Sequence, residues 1–209
     1  ENDINLLNNM NVDVLFLPTN KEMYQSVDAV RVPPSELFNK LEGVSRPHFF
    51  YGVTTIVAKL FNVVGPSHAF LGKKDAQQLI IIQQMIAQMK YPIILVACPT
   101  VRDKHGLALS SRNCYLTDSE QKKASVVYQG LMHIKDALNK GQTNPTILKQ
   151  SFKTIVEQVS EISIDYISIA CIKSLDETHE IKENKLLIST AVFFNNVRLV
   201  DSFSYQSAT

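Results

Sequence analysis

Short apolar runs alternate with longer amphipathic stretches over the first hundred residues. The runs 68–71 and 93–97 have the composition of strands, and the stretches 54–64 and 77–89 repeat apolar residues with helical spacing. This alternation predicts βαβ units and therefore an α/β fold with a parallel sheet. The run 12–17 has few polar positions and predicts a further strand that is buried on both faces.

A different pattern follows residue 113. Thr117 and Glu120 have the spacing of a capping box before a helix that ends near 139–141, and Asn144-Pro145 begins another helix that runs to about Ser160. Three β-rich runs then predict strands, and Asn195-Asn196 between the last two predicts a hairpin turn. Those runs are 164–172, 185–192 and 197–200.

The change of pattern indicates two domains with a boundary near 102–105. We expect a Rossmann-like domain at 1–102 and a smaller α+β domain at 103–209. In open α/β sheets, ligands bind beyond the carboxyl ends of the strands. Polar segments follow both 68–71 and 93–97, so the sequence predicts a ligand site there.

Composition narrows the function to small-molecule chemistry. The 209 residues include 21 basic and 20 acidic side chains, a net charge of +1, so no footprint for nucleic acid or an anionic membrane surface is expected. Cys98, Cys114 and Cys171 are widely spaced and odd in number, which predicts a reducing compartment without disulfides or a zinc site. No apolar run approaches the roughly 20 residues that span a bilayer, so we expect a soluble, cytoplasmic protein.

The run 107–113 contains Ser110, Ser111 and Arg112 between apolar neighbours. A guanidinium presents a planar fork of donors to phosphoryl oxygens, and serines add hydroxyl and backbone donors. The run therefore suits phosphate binding. By itself, such a short run is more often a solvated turn than a binding site.

A second polar segment, Gly72-Lys73-Lys74-Asp75, stands between a predicted strand and a predicted helix. Glycine permits a close backbone approach to a ligand, and Lys74 together with the free N–H groups of the helix start favours an anion. The alternative is a solvated lysine pair at the start of a surface helix, because this is not a Walker pattern.

Read in order, these segments resemble the pantothenate synthetase family, the pantoate:β-alanine ligases. The resemblance runs from residue 12 to residue 102 and continues more weakly to Asp201. It rests on both polar segments and on the runs 12–24, 41–47, 52–62 and 99–102. It implies a nucleotidyltransferase-type Rossmann fold and an ATP-dependent ligation in two steps. Pantoate first forms pantoyl adenylate and pyrophosphate, with Mg²⁺ assisting, and β-alanine then displaces AMP to give pantothenate, a coenzyme A precursor.

The resemblance also implies roles for individual residues. Lys74 would bind the ATP phosphates, Gly72 and Asp75 would lie at the ribose, and Val101 would contact adenine through its backbone. Residues 109–112 would form a mobile phosphate-binding segment. Gln78 would bind pantoate, one turn from Lys74 on the same helix face. The proposed catalytic set is Lys74, Ser110, Ser111 and Arg112, and the proposed ATP-binding set is Gly72, Lys73, Lys74, Asp75, Val101, Leu109, Ser110, Ser111 and Arg112. A homodimer formed near 62–64 is expected from the family.

The chain departs from the family pattern at several positions. It lacks the family's Met-Gly-x-Leu-His-x-Gly-His motif and its magnesium-linked residues, so no metal ligand is assigned. About a quarter of the family's length is expected to be missing at the N-terminus, given βαβ units of about 30 residues. Lys73 replaces a usual glutamate and is expected to face solvent, although it adds positive charge near ATP. The family's histidine is displaced by one position, to His48, which is left out of the site. The spacing of Glu42 and Arg46 allows a local ion pair of little energetic consequence.

Two other functions remain open. A nucleotidyltransferase of the same superfamily would share the phosphate donors and use another acceptor. A fragment that binds nucleotide or dimerises without activity is the non-enzymatic alternative.

Overall fold

Two separate β-sheets, one parallel and one antiparallel, organise the chain. The computed structural model describes residues 2–24, 32–182 and 185–206. The helices are α1 (Asn2–Asn9), α2 (Asn20–Met23), α3 (Glu42–Ser45), α4 (Phe49–Val64), α5 (Ala76–Gln88), α6 (Asp118–Ala124), α7 (Val126–Asn139) and α8 (Pro145–Val156). The strands are β1 (His68–Gly72), β2 (Ile94–Cys98), β3 (Ile162–Cys171), β4 (Lys185–Phe194) and β5 (Val197–Gln206). Short 3₁₀ turns span Glu36–Asn39, Lys73–Asp75 and Ser111–Tyr115.

The parallel sheet confirms the predicted βαβ unit. Strands β1 and β2 pair in parallel, from His68 opposite Ile94 to Gly72 opposite Cys98, and α5 connects them. Helix α4 begins at Phe49, five residues before its predicted start, because the Phe50 side chain is buried in the core and extends the apolar face backwards. The carboxyl ends of both strands therefore open on the same edge.

The strand predicted at 12–17 was wrong. These residues have no regular structure, and Val14 and Leu17 are 80% and 68% exposed. A strand needs a neighbour for its backbone N–H and C=O groups. Within the described ranges no strand pairs with this segment, so its apolar composition has no sheet in which to be buried.

The antiparallel sheet has the order β3-β4-β5, and helices α7 and α8 pack on it. The capping box at Thr117 and Glu120 and the Asn144 cap predicted for this part are present. The helix predicted to end near 139–141 is interrupted at Ser125, whose hydroxyl donates to the Lys122 carbonyl, and α8 ends at Val156 rather than Ser160. The hairpin turn is confirmed, with Asn195 at φ 50°, a conformation that asparagine tolerates.

The N-terminal part (residues 32–102) and the C-terminal part (103–206) share an apolar contact. Phe38, Phe50 and Ile81 form one core cluster with Leu175 and Leu187 of the other part. Burial of each such side chain contributes about 1.5–3 kcal/mol. This contact fixes the antiparallel sheet against the start of α5.

Gly43 is required where the chain approaches this contact. A Cβ on Gly43 would lie 1.8 Å from the Phe38 carbonyl oxygen, so any other residue would displace the backbone of α3. None of the helices in the described part of the chain combines the length and apolar run that crossing a bilayer requires.

Candidate functional site

A cavity of about 580 Å³ lies between the carboxyl ends of β1 and β2 and the antiparallel sheet. Lys74 and Gln78 line one side, and Ser110, Ser111 and Arg112 line another. The two polar segments, more than thirty positions apart in the chain, therefore border one space. The remaining lining residues are Glu42, Arg46, Phe49, Phe50, Gly72, Asp75, Ala76, Gln77, Cys98, Pro99, Thr100, Val101, Leu109, Tyr166, Ser189, Val200 and Ser202.

A hydrogen bond from Ser202 anchors the backbone of Lys74 beside the cavity. The Ser202 hydroxyl, on β5, lies 3.1 Å from the Lys73 carbonyl oxygen and 2.8 Å from that of Lys74, to which it donates. The Lys74 side chain is 19% exposed and its Nζ lies 4.0 Å from an Asp75 carboxylate oxygen. The ammonium is therefore only loosely paired and is available to a ligand anion.

Lys73 lies outside the main cavity. It borders a smaller hollow of about 290 Å³ on the other side of the 3₁₀ turn, where it is exposed. Successive residues of a tight turn point in different directions, which separates the two lysines. His48 also lies outside the main cavity; it has φ 65° just before α4.

Gly72 lines the cavity in an ordinary backbone conformation, with φ −73° and ψ 136°. Any residue adopts these angles. A Cβ at Gly72 would meet no protein atom within 4 Å. The backbone at this position therefore does not require glycine, and a side chain here would extend into open space at the cavity.

The serine-arginine segment is ordered by local hydrogen bonds. The Ser110 hydroxyl accepts from the Arg112 N–H at 3.3 Å, and the Leu109 N–H donates to the Val101 carbonyl at 2.9 Å. The Arg112 guanidinium donates to the Arg198 carbonyl at 3.1 Å. Val101 and Leu109 remain 66% and 52% exposed, an apolar pair beside these polar side chains. The segment thus presents hydroxyls, a guanidinium and an apolar surface together.

Glu42 does not form the expected local pair with Arg46. Its carboxylate accepts two hydrogen bonds from the Arg198 guanidinium, at 2.7 and 2.9 Å, across the contact between the two parts. The Arg46 guanidinium lies 3.6 Å from the Phe49 ring centroid and borders the cavity. Burial lowers the pKa of Arg46, and the nearby Glu42 carboxylate opposes that shift. Sequence spacing favoured the wrong partner because Arg198 is distant in the chain.

The antiparallel sheet supplies hydroxyls that sequence reasoning missed. Tyr166, Ser189 and Ser202 lie on three adjacent strands and border the cavity. The Ser189 hydroxyl is buried. Burial raises the pKa of Tyr166 most, and the nearby Glu42 carboxylate raises it further. The phenol therefore stays a neutral hydrogen-bond donor. Alternation along a strand does not reveal which residues face a ligand, so the sequence carries no signal for them.

The site offers few ligands for a resident metal ion. In the ranges that the structure describes, no group of three or more His, Cys, Asp or Glu side chains is positioned to hold one. Asp75 and Glu42 are the carboxylates at the cavity, and Glu42 is engaged by Arg198. Cys98, at the end of β2, borders the cavity as a free thiol.

The sequence and the fold both match one group of known proteins. A profile of the family described as pantoate-beta-alanine ligase matches residues 1–204. The pantothenate synthetase of Caldicellulosiruptor saccharolyticus is 40% identical over 202 residues, which cover 97% of this chain and 72% of that protein. The chain belongs to the pantoate-beta-alanine ligase family. The pantothenate synthetase of a Sulfurihydrogenibium species is 38% identical, covering 98% of this chain and 73% of that protein.

Solved structures of the family share this fold. The crystal structure of pantothenate synthetase from Thermus thermophilus has a TM-score of 0.88 at 35% identity and covers 97% of this chain and 73% of that one. The pantoate-beta-alanine ligase of Francisella tularensis, complexed with beta-gamma ATP and beta-alanine, has a TM-score of 0.71 at 30% identity, with coverage of 97% and 68%. Family membership and the α/β fold predicted from the sequence are both confirmed.

Proposed function

We propose that this chain catalyses the ATP-dependent condensation of pantoate with β-alanine to pantothenate, through a pantoyl-adenylate intermediate. The observation that carries the proposal is the meeting of Lys74 with Ser110, Ser111 and Arg112 in one cavity. Family membership gives the reaction, and these four residues give the donors that a triphosphate needs.

In the first step a pantoate carboxylate oxygen attacks the α-phosphorus, and the bond to the β-phosphate oxygen breaks to release pyrophosphate. Negative charge gathers on the α-phosphoryl oxygens and on the leaving group. Catalysis then depends on positioning and charge stabilisation, without a protein nucleophile. Lys74 and Arg112 supply positive charge, and Ser110 and Ser111 supply hydroxyl donors beside it.

In the second step the β-alanine nitrogen attacks the acyl carbon, the bond to AMP breaks and the amine loses a proton. Gln78 borders the same cavity as Lys74, and we assign it to pantoate, whose hydroxyl and carboxylate groups match an amide. Val101 and Leu109 offer an apolar surface for adenine, and Gly72 and Asp75 are assigned to the ribose side. Lys73, which faces the smaller hollow, contributes its positive charge from a distance.

We treat Mg²⁺ as part of the MgATP substrate. Mg²⁺ commonly binds through one or two carboxylates, water and substrate phosphates rather than in an all-protein cage. The cavity fits this mode: Asp75 provides one half-exposed carboxylate beside Lys74. The ion would neutralise phosphate charge, and the chain's own residues would orient the phosphates.

We further propose the organisation of the whole molecule. Residues 1–102 form the ATP- and pantoate-binding domain and 103–209 the domain that closes over it. Support comes from the two separate sheets and the cavity between them. A homodimer formed around the end of α4 would cover Val63 and Val64, which are 60% and 59% exposed. A biosynthetic family and free thiols suit a cytoplasmic location.

Calorimetry and a pyrophosphate assay on the purified chain test the function. We expect ATP to bind and pantoate to trigger pyrophosphate release, with pantothenate formed when β-alanine is added. ATP binding without pantoate-dependent release would favour the nucleotide-binding alternative. Release that requires another acceptor would favour a nucleotidyltransferase. Light scattering in the same buffer measures the proposed dimer.

A further inference from the structure

Arg198, at the start of β5, contacts residues on two sides of the candidate site. Its guanidinium, 13% exposed, binds both Glu42 oxygens and also donates to an Asp165 oxygen at 2.5 Å. Its backbone carbonyl accepts the hydrogen bond of the Arg112 guanidinium. One residue therefore contacts both the α3 end of the cavity wall and the phosphate-binding segment.

The ion pair between Arg198 and Glu42 affects the charge at the cavity surface. Arg46 follows Glu42 by four positions, a spacing at which opposite charges on a helix pair. In the structure, Arg198 takes the Glu42 carboxylate instead, and Arg46 stays at the cavity surface. Burial lowers the pKa of Arg46 most. The Glu42 carboxylate opposes this shift, and the nearby Arg112 and Arg198 guanidiniums add to it. Among the residues that the structure describes, Arg46 and Arg112 therefore border the cavity without a direct ion pair, and Glu42 attracts Arg46 only from a distance.

We propose that Arg198 is a positioning residue of the phosphate site: its side chain keeps Glu42 from neutralising Arg46, and its carbonyl aims Arg112 into the cavity. This inference rests on the proposed ATP site. Arg198 itself does not border the cavity. It acts through the two arginines that do.

Replacing Arg198 separates this role from simple loss of stability. R198M leaves the Glu42 carboxylate without its partner, so it turns toward Arg46, and we expect ATP to bind about tenfold more weakly, the effect of losing one hydrogen bond to a charged group. R198M/E42Q removes the competing charge and should recover most of the affinity. The dissociation constants are measured by calorimetry at a temperature at which circular dichroism shows each variant folded.

A matched control breaks a different ion pair between the same two parts. Lys40 donates to Asp176 at 2.6 Å, and this pair lies away from the cavity. D176N should bind ATP like the wild type. Wild-type affinity in R198M, or no recovery in R198M/E42Q, would overturn the proposal.

A measurement without nucleotide distinguishes failure of this inference from failure of the proposed function. Absence of ATP binding by the wild-type chain would count against the function alone. Amide hydrogen exchange at 109–115 then decides the role of Arg198. R198M keeps the carbonyl that accepts from Arg112 but loses the ion pairs that hold this end of β5, so the Arg112 segment should exchange faster. Faster exchange in R198M and unchanged exchange in D176N support the role, and equal exchange in R198M and the wild type refutes it.

Discussion

The Ser202 hydroxyl donates to the backbone carbonyl of Lys74 at 2.8 Å. This bond joins β5 of the antiparallel sheet to the 3₁₀ turn after β1, and it anchors the backbone from which the Lys74 side chain extends. S202A should lower the free energy of unfolding by about 0.5–1.5 kcal/mol, since it removes a part-buried hydrogen bond to the Lys74 carbonyl. It should also weaken ATP binding. Exposed Ser204, on the same strand, provides the control S204A, and equal ATP affinity in both variants would argue against this role.

Lys74 is expected to carry much of the charge stabilisation in the first step. K74A should slow single-turnover adenylate formation by about 100- to 1000-fold, as for loss of one well-placed transition-state donor. The melting temperature should stay close to that of the wild type because the ammonium is only loosely paired. K73A, next to it in sequence but outside the main cavity, should retain most of the rate. Near-normal adenylate formation by K74A would refute the assignment.

Gly72 is predicted to leave space for the ligand, because its backbone conformation does not require glycine. G72A places its methyl group in the cavity without meeting protein atoms. The unfolding free energy should be unchanged or should rise by about 0.4–1 kcal/mol, since alanine restricts the unfolded chain. ATP affinity should fall. G52A, at a helical glycine that also has open space around it, is the control and should leave ATP affinity intact. Full affinity in G72A would place the nucleotide elsewhere.

The Arg102–Asp201 pair is predicted to stabilise the junction between the two parts. The guanidinium donates to both carboxylate oxygens, at 2.5 and 2.9 Å, and Asp201 is only 7% exposed in its side chain. R102M should cost about 3–5 kcal/mol in urea unfolding because it leaves a buried carboxylate unpaired. Adding D201N should recover part of that loss. E180Q, at an exposed ion pair, should change stability by less than about 0.5 kcal/mol.

The Lys40–Asp176 contact predicts a pH dependence of stability. Hydrogen bonds from Lys40 and Ser174 hold the pKa of Asp176 below its usual range. A carboxyl group with a lowered pKa in the fold stabilises above its unfolded pKa and loses that effect as the pH falls through the folded value. D176N should therefore flatten the decrease in melting temperature on acidification from neutral pH. Identical slopes in D176N and the wild type would exclude this contribution.

Local signals in the sequence were sufficient for most of the elements. The capping box at Thr117 and Glu120, the Asn144 cap and the βαβ alternation each act over a few residues, so the pattern alone determines them. The composition of 110–112, which led us to predict phosphate binding there, is likewise a local feature of the sequence. The segment 12–17 shows the limit of this reasoning, because an apolar run becomes a strand only where another strand accepts its hydrogen bonds.

The sequence by itself determined the family, the two kinds of sheet and the residue types that suit a triphosphate. Only the tertiary structure decided which charges meet. Glu42 pairs with Arg198 rather than with Arg46, and Ser202 holds the lysine turn, because packing of Leu187 and Phe50 between the two parts brings distant strands together. Ion pairs and hydrogen bonds depend on distances in space, and those distances are set by the buried apolar contact between the two parts and not by spacing along the chain.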